Sequence, residues 1–171
     1  MQVHTKFNGE LSFQVWGADS FDADGTPLPG AKPKQETPFQ PQIITDAFFE
    51  TWLNGTTASK TDLFAYCGVG NGTTAATAAD TTISQVGTRF ALFSGDYAYS
   101  TTGNTITQTV GFRSTQGQII GTISEVGLFG ASTGGQTMMR SLIKDGGGSA
   151  TTLSLGAMDF LYVRWRVTST V

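Results

Sequence analysis

The chain has 171 residues, 39% of them apolar, only 13% charged, and a formal net charge of −3. That length gives one domain with a real core, and so little charge excludes a chain kept unfolded by self-repulsion. A pI near 4.9 with ten scattered Lys and Arg leaves no basic stripe, so nucleic acid is not an expected partner.

No charged-then-apolar leader opens at Met1 and no apolar run approaches the length of a membrane span. Neither a secretory signal nor a membrane partner is therefore expected, and assembly in the cytoplasm is. Leu11, Phe13 and Val15 alternate with Ser12 and Gln14, the period of a short strand. All five prolines then fall between positions 27 and 41. Proline lacks an N–H and fixes φ, so this stretch predicts neither a helix nor a central strand. Residues 1–40 read as an extended N-terminal arm, and 41–171 as the folded domain.

The one amphipathic helix is predicted at Gln42–Leu53. Ile44, Ala47, Phe48, Thr51 and Trp52 share a face, Pro41 suits the first turn, and Asn54-Gly55 supplies a stop. A buried strand follows at Phe64–Val69, with Cys67, the only cysteine, as a small core residue. No intramolecular disulfide is possible. Asp80–Val86 predicts a short helical turn or strand, Thr88–Phe93 a strand, and Gly95–Asn104 a polar hairpin loop. Strands are predicted at Thr105–Phe112, Gln118–Phe129, Met138–Ile143 and Phe160–Val167. In the last, Leu161, Val163, Trp165 and Val167 take one face, and Phe160, Tyr162, Arg164 and Arg166 the other. The class is mainly β: an antiparallel β-sandwich, jelly-roll or immunoglobulin-like.

The chemistry is conspicuous by its failures. His4 is the sole histidine, too poorly placed at the N-terminus to serve a nucleophile, and one His with one Cys makes no metal site. Asp22-Ala-Asp24-Gly25 lacks the acid and the twelfth-position Glu of a calcium loop, and reads as a turn. Gly68-Val-Gly70-Asn-Gly72-Thr lacks the Lys of a phosphate loop, so its glycines read as backbone turning. Asp62, Asp80, Asp96 and Glu125 are dispersed. No catalytic residue, cofactor or metal is expected, and the chain does not read as an enzyme.

Three segments together resemble a known class. These are Tyr66-Cys-Gly-Val-Gly-Asn-Gly-Thr-Thr with Asp80-Thr-Thr-Ile; Ile123-Ser-Glu-Val-Gly-Leu-Phe129 with Met138-Met-Arg-Ser-Leu-Ile143; and Tyr162-Val-Arg-Trp-Arg-Val-Thr168. Their order is similar to small virion structural proteins of tailed bacteriophages, found among neck and tail genes. The resemblance covers about residues 43–168. It implies a non-enzymatic, fibre- or collar-like homo-oligomer, by analogy a trimer, bound to neck, tail, portal or adaptor proteins within the virion. On that footing Trp16, Phe21 and Phe39 would anchor the arm on a neighbouring subunit, with Arg164 and Arg166 as further interface residues. Glu125 and Arg140, isolated charges in apolar strands, would pair across the sheet. Trp165 and Trp52 would mark where helix meets sheet. The alternatives are a capsid decoration or cement protein, and a carbohydrate- or receptor-binding module stacking sugars on Tyr97, Tyr99, Tyr162 and Trp165.

Overall fold

A computed structural model of the chain describes residues 6–22, 27–53 and 65–170. His4, Asp24, the Asn54-Gly55 stop, Asp62 and Phe64 lie outside the described residues, as do the side chains of Thr51, Trp52, Asp96, Tyr97 and Tyr99.

The first strand, β1 (Lys6–Gly17), alternates inward Leu11, Phe13 and Val15, all fully buried, with outward Ser12, Gln14 and Trp16. This period matches the last strand, β12 (Asp159–Thr170), and the two pair antiparallel from Lys6↔Thr170 to Gly17↔Asp159. Residues 6–17 are thus no arm. They run through the sheet interior, because their apolar face has the same spacing as Leu161, Val163, Trp165 and Val167 beside it.

The proline-rich stretch is extended, as expected, but it lies on the chain's own sheet. Lys34 and Thr37 donate amide hydrogen bonds to the Val15 and Phe13 carbonyls, and β2 (Gln35–Glu36) and β3 (Gln40–Pro41) pair with β1. The ion pair of Lys34 with Asp159, at 2.6 Å, fastens this strap to the start of β12. Burial alone would raise the Asp159 carboxyl, but Lys34 and the Gly156 amide outweigh it and hold it below its ordinary value. Two residues past β3, β4 (Ile43–Ile44) pairs instead with β10 (Thr137–Leu142) at the far edge of the sheet.

Between those edges the order is β1, β12, β7 (Thr105–Arg113), β6 (Gln85–Thr102), β5 (Tyr66–Gly70), β9 (Glu125–Phe129) and β10, antiparallel throughout. Strand β6 belongs to both halves: Gln85–Ala91 pairs with β5 and Leu92–Thr102 with β7, with a register irregularity between Leu92 and Tyr97. Such an irregularity bends a strand. The sheet curls there into a half-barrel, and one core joins Phe13, Phe112 and Trp165 from one half to Cys67, Leu128 and Met139 from the other. The expected mainly β, antiparallel class therefore stands, carried by a single continuous curled sheet. A separate pair, β8 (Gly121–Ile123) with β11 (Leu153–Leu155), closes one side of the core.

Three predicted elements change shape. The helix, α1, is Asp46–Leu53, because Gln42–Ile44 are held extended: Gln42 donates its amide to Gly9 and its side chain to the Met139 sulfur. Phe48 is buried on it, edge-to-face with Phe7 at 6.0 Å. Residues 95–102 are strand, with only Gly103-Asn104 turning, since Ser100↔Thr107 and Thr102↔Thr105 complete a ladder across a Gly103 of φ 57°. The 118–129 stretch is broken at Ser124, whose amide leaves the strand line to bond Gly70. Among the described residues no helix is long and apolar enough to cross a membrane.

Candidate functional site

Two clusters of polar and aromatic side chains stand out, one on the outer face of β1, β12 and β7, the other beneath the loop after β5. Strand register builds the first in rows. Trp16 lies opposite Phe160; the next row is Gln14, Tyr162, Arg113; then Ser12, Arg164, Gly111; then Glu10, Arg166, Thr109.

The 3-10 turn Ala18–Ser20 folds Phe21 back over the first of these rows, where it packs on Trp16 at 5.4 Å and Phe160 at 5.3 Å. Arg113 stacks over Phe93 at 4.0 Å and Phe21 at 5.4 Å, and Arg164 over Tyr162 at 4.9 Å. Trp16, Phe21, Phe93, Arg113, Tyr162 and Arg164 line a shallow recess of about 140 Å³. Farther along, Arg166 bonds Glu10 at 2.7 Å and covers the Phe39 ring at 4.0 Å. All five residues read from sequence as interface anchors thus share one face. Their first contact is corrected, however: Trp16 is part of β1, Phe21 folds back on it after the 3-10 turn, and Phe39 lies in the strap bonded along β1, so all three rest on their own sheet.

Sequence reasoning missed Arg113 and Phe93. The alternation of Thr105, Thr107, Thr109 and Gly111 carries Arg113 to the outer face, which was the available signal. Trp165 is not an exposed sugar platform. It is fully buried, its indole beside Cys67, whose thiol is pushed up by burial, with Trp165 opposing.

In the second cluster, Glu125 on β9 has no exposed surface and its carboxylate is fully engaged. Oε1 accepts the amides of Gly72 (2.9 Å) and Ser84 (2.6 Å); Oε2 accepts Arg140 Nε (2.8 Å) and Nη2 (2.7 Å). The expected pair therefore forms, diagonally: Glu125 faces Leu142 while Arg140 faces Gly127. Arg140 also reaches Asp80 at 2.6 Å and the Thr74 carbonyl at 3.0 Å. Burial would raise the Asp80 carboxyl, but the Thr77 amide, Arg140 and the Thr77 hydroxyl prevail and hold it low. For Arg140 burial lowers the pKa, and its two carboxylates raise it further than that. This is a clasp pinning residues 71–84 onto β9 and β10. Its geometry holds backbone: the carboxylates and the guanidinium are engaged with one another and with main-chain groups.

The clasp explains a glycine. A Cβ at Gly72 would overlap the Glu125 carboxylate, which has no room to retreat. Gly72→Ala is expected to lower unfolding free energy by about 1–3 kcal/mol, read from the midpoint of a urea transition. A midpoint equal to wild type would show that the loop is not held so closely.

Among the described residues no three His, Cys, Asp or Glu side chains converge as a metal site. Comparison with known proteins finds no matching family model, no matching curated protein and no matching solved structure.

Proposed function

We propose that the chain is a non-enzymatic structural protein of a tailed-bacteriophage virion, a fibre- or collar-like part of the neck or tail that acts as a homo-oligomer. One observation carries this reading. The residues quoted for the resemblance come from separate segments, yet Gly70, Gly72, Asp80, Glu125 and Arg140 meet in the single clasp. Short glycine-based motifs that also meet in space act together, as the signature of one scaffold does.

The surface supports the same reading. Short strands of residues 35–44 pair with parts of both outer strands, β1 and β10, which leaves the sheet faces as the broad surfaces for contact. The outer face supplies half-buried aromatics and arginines, the residue types that dominate interface energetics. In this reading the two halves of the curled sheet are the layers of a sandwich, with Cys67 against Trp165 between them. Attachment runs through the outer face, since residues 6–17 are committed to the sheet.

Quantitative mass spectrometry of purified virions of the encoding phage tests the proposal. Tens of copies per particle fit the neck or tail, whereas hundreds would move the chain to the capsid surface as a decoration protein. Absence from the particle would remove the proposal. Sedimentation of the purified chain is expected to give an oligomer, and a monomer at every concentration would contradict self-assembly.

A further inference from the structure

We propose that the outer-face recess is a docking point for an acidic segment of another protein chain. One carboxylate would sit on Arg164, with an adjoining apolar side chain against Trp16 and Phe21. This deepens the assembly reading and rests on it.

Four observations point there. Arg140, Arg166 and Lys34 each hold a carboxylate, and Arg89 is taken up by the carbonyls of Ala131 and Gly134. Arg164 is exposed and, among the described residues, has no carboxylate partner; its guanidinium stacks on the Tyr162 ring. Stacking uses the face of a guanidinium and leaves its edge, with the N–H fork, open to a carboxylate. Secondly, its cross-strand neighbours are Ser12 and Gly111, neither of which carries a charge to compete for the guanidinium. Thirdly, the flanking aromatics are already locked together by ring contacts, so little ordering is left to do on binding. Fourthly, a volume of about 140 Å³ is smaller than the roughly 300 Å³ at which small-molecule pockets begin. It fits one or two side chains.

A second copy bound across a twofold axis is the weaker occupant. In a twofold contact the patch meets itself, which sets Arg164 of one chain toward the Arg164 of the other. Like charges disfavour that, and a carboxylate resolves it.

The test uses the full ¹⁵N-labelled chain and a blocked octapeptide of alternating Glu and Leu, its Gln-for-Glu counterpart, and tetragalacturonate as an acidic sugar. The Glu peptide is expected to move the Trp16 indole and Arg164 Nε resonances, and to bind about threefold to fivefold more tightly than the Gln peptide. Arg164→Gln should keep a native spectrum and erase that preference. Ser12→Glu, which sets a carboxylate directly across from Arg164, should compete the peptide away. Equal binding of the two peptides, binding of the sugar in place of the peptide, or a preference that survives Arg164→Gln would overturn the proposal. A chain found in virions that ignores the Glu peptide defeats this inference alone. A chain that binds the peptide but is missing from virions defeats the assembly reading.

Discussion

A chain lacking residues 1–17 is expected not to fold: no cooperative urea transition, and a far-ultraviolet spectrum without the strand signal of the full chain. Leu11, Phe13 and Val15 have no exposed surface, and each contributes about 1.5–3 kcal/mol by burial. Their sum, about 5–9 kcal/mol, is comparable to the whole stability of an ordinary domain, about 5–15 kcal/mol. The loss is larger still, because β12 would lose β1, one of its two partners, along its full length and expose Val163 and Trp165. The point variant Phe13→Ala should cost about 3–5 kcal/mol and keeps the test informative if the truncation aggregates. A truncated chain with a two-state transition near the wild-type midpoint would show β1 to be an appendage. Removing 1–17 thus separates an arm from a strand directly.

The period of two was the most legible signal in the chain. It located β7 and β10 within one residue and β12 within three, and gave the correct inward and outward faces of β12. It also marked Leu11, Phe13 and Val15. Grouping by proline content hides that those residues belong to the sheet, since composition changes at residue 18 and not at 40. Proline did behave as its chemistry requires: Pro41 lies in the short strand at the β1 edge, where its missing N–H is harmless. The end of β6 was hidden because Ser, Thr and Gly in series read as a loop until a partner of the same composition pairs with them. Interface residues were legible singly but not as a surface. Only register sets Arg113 beside Tyr162 and leaves Gly111 next to Arg164. Likewise Glu125 and Arg140 announced themselves as lone charges in apolar strands, while Asp80 gave no such sign. Its contact with Arg140 is made by a loop 60 residues away in sequence.

Arg140→Met should be the most damaging single substitution outside the hydrophobic core. The side chains of Arg140 and Glu125 are 7% and 0% exposed, so removing the guanidinium leaves a carboxylate buried without its counter-charge. Breaking such a pair costs about 3–5 kcal/mol, to be read as a fall in the urea midpoint with an unchanged slope. Glu125→Gln in the Arg140→Met background removes the stranded charge, and should restore part of the loss. If the double variant is no more stable than Arg140→Met, the cost lies in lost packing and not in charge. The clasp also has a pH signature. Asp80 is held below its ordinary value, so the unfolded chain takes up its proton first as the pH falls. The stability that Asp80 contributes is complete above its unfolded pKa, about 4. It drains away as the pH drops toward the depressed folded value. Arg140→Met removes one cause of that depression, so its midpoint should fall less steeply than wild type between neutral pH and about pH 3. Parallel profiles for the two proteins would mean that Arg140 does not hold the Asp80 carboxylate in its charged form.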